Sequence, residues 1–499
     1  LENRHYGGKQ MTESSKTETG APTTCDLNWE TIDWNTVKSQ VRRLQMRIAK
    51  AFREKKHGKV KSLQWLLTHS LHAKLLAVKR VTSNPGAKTP GIDKVTWKTP
   101  KQKLCAAMSL KRHGYQTLPL KRIYIPKKQK GKLRPLSIPV MQCRAQQALH
   151  LLALEPAAEM LSDKNAYGFR PKRSAADAIA QCYLLLAKKG SAQYILEGDI
   201  KSCFDTISHK WLMDNVPMDK KMLNLWLTAG YIDEGQYFDT DRGTPQGGII
   251  SATLLNVTLS GLEQIVKSIT HKRNDKSNIC VYADDFIITC ASKEVLVDTI
   301  MPAVSKFLAD RGLFLSEEKT KITHIEDGFD FLSINIRKYN GKYVPKPSDE
   351  SVKRFLNDIR TTIKSHSCAK TENLIRLLNP KIRGWTNYHR HNCAKKTFGY
   401  ISYWIFHALW QWAKRRHPNK GKKWIKQKYF RCTGTQNWIF CAKYKDQRKN
   451  TICVDLYDAA KVPILRYVKV KSDASPYKPE YFEYFSARLN RGASVPLFN

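Results

Sequence analysis

Ile279-Cys280-Val281-Tyr282-Ala283-Asp284-Asp285-Phe286-Ile287-Ile288 sets two adjacent carboxylates in the middle of an apolar, β-favouring run. That composition predicts two strands joined by a tight hairpin, with the Asp pair at the bend. Like charges beside apolar strands are costly to hold unless something positive lies between them. A divalent cation meets that need, and hard oxygen donors favour Mg²⁺.

A second apolar run ends the same way: Tyr194-Ile195-Leu196-Glu197-Gly198-Asp199-Ile200. It predicts a strand that brings Asp199 opposite the hairpin carboxylates. Three carboxylates on adjacent strands are the ligand set of a two-metal phosphoryl-transfer site. An isolated Asp-Asp pair is ordinarily a solvated turn, and the flanking strands weigh against that. Tyr282-Ala283-Asp284-Asp285 resembles the active-site hairpin of reverse transcriptases. The chain as a whole resembles the reverse transcriptase–maturases encoded within group II introns. The resemblance implies an α/β (α+β) right-hand polymerase with fingers and palm, a helical thumb (maturase X domain) and a small basic C-terminal domain.

Size and charge agree with a nucleic-acid enzyme. A chain of 499 residues can fill several cores, and 86 Lys+Arg against 43 Asp+Glu leave a net charge of +43. Such an excess calls for a polyanion, with nucleic acid ahead of an anionic membrane. No apolar run reaches spanning length, and no lipidation motif accompanies the charge. The twelve Cys occur without any C-x-x-C spacing, which predicts reduced thiols in a cytosolic protein. Residues 1–10 read as tag or read-through sequence ahead of Met11, and residues 1–33 as a flexible terminus.

The region 34–345 is expected to hold fingers and palm with an amino-terminal extension. Val41 to Lys50 places apolar residues at helical spacing beneath a basic face that includes Arg43. By resemblance that face grips RNA. Lys121 to Lys127 and Gly131 to Pro139 predict a basic β-hairpin turning within residues 128–131, suited to phosphate oxygens. Resemblance assigns Arg122 and Lys127 to the nucleotide. Asn165-Ala166-Tyr167-Gly168-Phe169-Arg170-Pro171 resembles a recurrent fingers block near the template, with Arg170 as an RNA contact.

Beyond the first strand, the resemblance gives Ile200 a place beside the metal and nucleotide, and makes Phe204 the residue that closes on the sugar's 2′ side. Asp205 is expected to cap or pair structurally, and His209 to make a local hydrogen bond. Arg242-Gly243-Thr244-Pro245-Gln246-Gly247-Gly248 predicts a loop that approaches substrate closely, followed by a helix from Ile249 to Leu262. Gln246 is its expected positioning residue, and Lys319 resembles the family's lysine close to metal and phosphates. Ala252 stands where many relatives carry Pro, and Ser333 where Gly is common.

Pro345-Lys346-Pro347-Ser348 predicts a linker, with a thumb over 346–430. Pro380 to Arg390 resembles the maturase region, whose Arg383, Trp385, Tyr388, His389 and Arg390 are expected to touch RNA. Residues 381–450 carry 18 Lys/Arg, the single acid Asp446 and six of the twelve Trp. Basic residues among aromatics suit phosphates and unpaired bases, while Trp404, Trp410 and Trp412 are expected mostly in the core. Residues 431–499 read as β-like and basic; the resemblance makes them the DNA-binding domain, without the paired Cys of the HNH endonuclease that many relatives carry.

The expected activity is RNA-templated DNA synthesis at Asp199, Asp284 and Asp285 with two Mg²⁺ ions, for which Mn²⁺ can substitute. The partners are group II intron RNA in a ribonucleoprotein, a DNA target and dNTPs, with no obligate protein partner evident. A maturase role and target-primed insertion accompany the polymerase. The alternatives are a domesticated enzyme acting in defence or repair without an intron, or a pure splicing factor. The expected location is cytoplasmic and bacterial-type, with organellar origin left open.

Overall fold

The computed structural model describes residues 28–126, 133–271, 274–434, 436–445, 451–490 and 494–496. The amino-terminal segment through residue 27, Lys127 and the turn expected at 128–131 lie outside the described residues.

Four helices open the fold: α1 (Trp34–Arg53), α2 (His57–His69), α3 (Leu71–Thr82) and α4 (Pro100–Ser109). Val37, Val41 and Ile48 form the buried stripe of α1, and Asp33 caps it by accepting from the Asn35 amide. Ser70 ends α2 and caps α3. After the hairpin strands β1 (Leu120–Pro126) and β2 (Leu133–Ile138), these helices pack on the long α5 (Met141–Leu161). Pro156 inside α5 deprives the Leu152 carbonyl of its helical donor. Gln45 supplies one instead, its Nε2 2.9 Å from that oxygen, and Gln64 reaches the next carbonyl, Ala153, at 3.1 Å.

Next come α6 (Ala175–Leu186), β3 (Tyr194–Asp199), the short helices α7 (Cys203–Thr206), α8 (His209–Asn215) and α9 (Lys220–Leu227), then strands β4 (Tyr231–Asp233) and β5 (Gln236–Phe238). The first sheet has the order β2-β1-β4-β5. The helix expected over 249–262 is two, α10 (Ser251–Leu259) and α11 (Leu262–Ser268), broken at Gly261 with φ 96°. Strands β6 (Asn278–Tyr282) and β7 (Asp285–Cys290), helix α12 (Met301–Ala309) and strand β8 (Lys321–His324) complete the palm. Its antiparallel sheet runs β6-β7-β3-β8. One face sends Leu196, Val281, Phe286 and Ile288 into a helical core; the other sends Ile195, Cys280 and Ile287 against α6. Both faces are covered, so these strands are apolar along nearly their whole length rather than alternating.

Strands β9 (Phe329–Phe331), β10 (Ile334–Tyr339) and β11 (Lys342–Pro347) form a small sheet. The expected linker at 345–348 is therefore the end of a strand, running into Ser348, the cap of the next helix. Pro345 and Pro347 are accommodated because β11 is an edge strand. Helices α13 (Asp349–Ser365), α14 (Thr371–His389), α15 (Lys395–Arg416) and α16 (Lys422–Tyr429) follow, then β12 (Phe430–Thr433), β13 (Gln436–Lys445) and β14 (Thr451–Asp455).

A separate domain from residue 431 was expected, but the core runs across that boundary. Phe430, Phe440, Ala442, Ala459 and Val462 pack among Phe398, Leu409 and Trp412 of the thumb helices. Farther on, Val470, Ala474 and Phe485 pack with Ile195, Cys280 and Ile287 of the palm sheet. Beyond β15 (Leu465–Tyr467), the chain returns to the fingers through α17 (Phe482–Asn490), and β16 (Ser494–Pro496) pairs with β15. Asp177 of α6, 1% exposed, accepts from the Val470 amide at 2.8 Å and from Arg488 at 3.2 Å. Arg42 of α1 covers the Phe482 ring at 3.9 Å and reaches the Pro476 carbonyl, and Tyr477 donates to Glu155 of α5. This strap helps enclose a cavity of about 1350 Å³ lined in part by Tyr282, Tyr343, Tyr388 and Tyr467.

Candidate active site

The sheet register sets the carboxylates. Asp199 ends β3 directly across from Asp285, which begins β7. Tyr282 pairs with Asp285, so Ala283 and Asp284 form a two-residue hairpin turn with Ala283 left-handed at φ 58°. A non-glycine residue there needs support. It comes from the Asn165–Gly168 segment: the Tyr167 amide donates to the Val281 carbonyl and the Val281 amide to the Asn165 carbonyl, both at 2.9 Å. A Cβ on Gly168 would stand 2.3 Å from the Ala283 nitrogen, so only glycine permits that approach. Tyr167 itself is buried. This block props the Asp284–Asp285 hairpin.

Ile200 bridges to Leu315, flanked by Lys201 N–H to the Phe314 carbonyl at 2.9 Å and Ser316 N–H to the Asp199 carbonyl at 2.8 Å. In that antiparallel pattern the carbonyl of Ile200 itself turns away from Leu315, toward the side of β3 that carries β7. Lys319 places its Nζ 2.9 Å from Asp199 Oδ2. Burial pushes the Asp284 carboxyl up, and the charge of Asp199 adds to this; Arg134 and Lys319 act the other way. Arg134, on β2, is a contributor that the sequence reading did not single out. Its signal was a cation within the basic hairpin.

The donor set is oxygen throughout: three carboxylates and one carbonyl, with a lysine at the rim. Such a set fits a hard divalent cation. The carboxylates are not drawn tight. Among the described residues, the metal-capable trio with ligand atoms within 4.8 Å of one another is Cys441, Cys453 and Asp455, on β13 and β14, where Asp455 is already engaged by Arg431.

The Gly-rich loop is sewn to its neighbours. Thr244 N–H donates to the Phe204 carbonyl and Gly243 N–H to the Ile207 carbonyl at 2.7 Å. Gln246 accepts from the Ser137 amide of β2 at 2.7 Å, and its side chain donates to Asp205 at 3.1 and 3.2 Å. Asp205 thus has the structural pairing expected of it, and His209 bonds the Gly243 carbonyl at 2.8 Å. Phe204 is half-buried at the edge of the palm core. Arg122 lies over the Tyr231 ring at 3.7 Å, on the fingers sheet.

Three expected RNA contacts are turned toward the protein, Arg170 and His389 buried and Trp385 partly so. Arg170 is 7% exposed and spends its guanidinium on Glu159, at 2.8 and 2.9 Å, and on the Ala166 carbonyl. A buried carboxylate requires such a partner. Trp385 stacks on Phe355 at 4.9 Å between helices α14 and α13. His389, 1% exposed, bonds Ser351, and burial holds its imidazole down at about 4. Helical periodicity turns Trp385 and His389 inward, whereas Arg170 lies in the loop between α5 and α6 and is drawn in by Glu159. Tyr388 is outward but donates to the Leu332 carbonyl at 2.7 Å. Arg390 is half-buried beside Asn387. Arg43 is exposed, and so is Arg383, which lies over the Tyr457 ring.

Three family models match the chain: "N-terminal domain of reverse transcriptase" over residues 29–110, "Reverse transcriptase (RNA-dependent DNA polymerase)" over 125–336, and "Group II intron, maturase-specific domain" over 352–430. Protein YkfC of Escherichia coli (strain K12) is 34% identical over 311 residues, covering 54% of this chain and 81% of that protein. The group II intron-encoded protein LtrA of Lactococcus lactis subsp. cremoris is 27% identical over 445 residues, covering 70% and 74%. A solved telomerase from Candida albicans in complex with a telomeric RNA fragment is a distant neighbour, with 13% identity, TM-score 0.37 and coverage of 62% and 64%.

Proposed function

The chain belongs to the reverse transcriptase–maturases encoded by group II introns, and we propose that its Asp199, Asp284 and Asp285 carry RNA-templated DNA synthesis while the thumb and basic surfaces bind the intron RNA. The observation that carries the catalytic part is the register pair Asp199–Asp285 with Asp284 at the adjoining turn. Reverse transcriptases use divalent metal ions. Here Asp199, Asp284, Asp285 and the Ile200 carbonyl would hold two Mg²⁺ ions, or Mn²⁺ in their place. Bound there, such ions lower the pKa of an attacking hydroxyl and neutralise charge on a leaving oxygen.

The protein's own groups do the positioning. Lys319 holds positive charge at the triad's rim and offsets the repulsion between Asp199 and Asp284. Arg134, Arg122 and Lys127 bring cations to the dNTP phosphates from the hairpin. Phe204 excludes a 2′-hydroxyl by filling that side of the sugar. Gln246 acts through Asp205, fixing the loop against the turn that carries Phe204. The second activity is stabilisation of folded intron RNA, followed by insertion into a DNA target. Among the described residues no helix is long and apolar enough to cross a membrane. The bacterial relatives support a cytoplasmic ribonucleoprotein.

The test is Asp284→Asn. Primer extension on an RNA template should fall about a thousandfold, while affinity for structured RNA stays within about twofold. Full extension by this variant would overturn the assignment of the site.

A further inference from the structure

Helix α15 presents an outward face that the polymerase site does not use. Lys396, Tyr400, Tyr403, His407, Gln411 and Lys414 succeed one another at steps of three or four residues and so share one stripe. The stripe is about 27 Å long. Tyr400 and Tyr403 are 52% and 57% exposed, and Trp404 beside them 36%. The opposite face, with Phe398, Ile401, Ile405 and Leu409, already fills the thumb core. These outward rings therefore add nothing to that packing, and exposing them to water has a cost.

Their composition selects the partner. The stripe holds no aliphatic side chain, as a knobs-into-holes protein contact would require. Its rings carry polar edges, and Tyr403 meets Trp404 and His407 edge-to-face at 5.5 and 4.3 Å while more than half of Tyr400 and Tyr403 stays exposed. Arg360 of α13 adds a guanidinium 5.3 Å from the Trp404 ring. Helix α15 has five Lys/Arg and no acid. Cations flanking exposed aromatic rings suit single-stranded nucleic acid, whose phosphates are neutralised while its bases stack.

We propose that Tyr400, Tyr403 and Trp404 form a stacking platform for unpaired bases of the intron RNA, with Lys396, Lys414 and Arg360 on the adjoining phosphates. This rests on the reading of the chain as a maturase and adds the kind of RNA element the thumb takes: a single-stranded loop.

The experiment uses the full chain and two labelled probes, a 15-nucleotide single-stranded RNA and a 15-base-pair RNA duplex. In the double variant Tyr400→Ser, Tyr403→Ser, single-strand affinity should fall about 10- to 100-fold. Duplex affinity and melting temperature should stay unchanged. Tyr400→Phe with Tyr403→Phe should retain binding, since stacking needs the ring and not the hydroxyl. Lys396→Ala should lower the magnitude of the salt slope by about one. Unchanged single-strand affinity in the Ser variant would overturn the platform, as would equal loss for duplex, loss in the Phe variant, or a wild-type dimer that the Ser variant abolishes. Primer extension by the wild-type chain is the separate readout. If it is absent the polymerase reading fails, whatever the stripe binds.

Discussion

The Asp284–Asp285 hairpin and thumb helix α14 each carry a short motif that marks them in the sequence, yet they treat those side chains in opposite ways. At the hairpin, the apolar residues go into the sheet and the carboxylates collect at strand ends beside Lys319. In α14, Trp385 and His389 turn inward and hold the helix to its neighbours, while Tyr388 stays outward. The difference lies in the residue types. A carboxylate pair cannot enter a core without counter-charge, so its placement follows from its chemistry. Trp and His are stable in either setting, so the same motif supports packing or binding equally well.

The contrast can be broken most directly at Trp385. Trp385→Ala should cost about 3–5 kcal/mol in urea unfolding, because the Phe355 stack and the surrounding packing are lost. RNA affinity of the folded fraction should remain. The reverse result, intact stability with weakened RNA binding, would make α14 a contact surface after all.

His389 sharpens the comparison through pH. Its folded pKa of about 4 lies below the usual value of 6.5, so the unfolded chain binds the proton more readily. The associated stability is fully present above about 6.5 and is lost as pH falls toward 4. Between pH 6.5 and 5 the loss should be on the order of 2 kcal/mol. His389→Gln should flatten that part of the unfolding-midpoint curve; equal slopes in both proteins would place His389 in solvent.

Lys319 gives the smallest effect and belongs to the palm. Lys319→Ala should lower kcat for primer extension roughly tenfold, with Lys319→Arg recovering most of it. An unchanged rate would reduce the Asp199 contact to a surface ion pair.

The hairpin was legible because β-favouring apolar runs on both sides of adjacent carboxylates admit few other folds. Gln246 was found, but its partner was not, since nothing local in the sequence says that Asp205 lies under the loop. Arg170 was misread for a related reason. An arginine after an aromatic turn looks available until Glu159, eleven residues earlier, is brought beneath it. The domain boundary at residue 431 was drawn from composition, whereas the core that crosses it depends on Phe430, Phe440 and Val462 meeting the thumb helices. Non-local packing leaves no local sign.

The strap over Asp177 also imposes a schedule. Asp177 and Val470 are 293 residues apart. At ribosomal speeds of roughly 5–20 residues per second, that interval takes about 15–60 s. During it the fingers helix carries a carboxylate whose final donors have not yet been synthesised. A messenger cut or stalled before codon 470 thus yields a protein with its aspartate motifs complete and its strap to the fingers unformed.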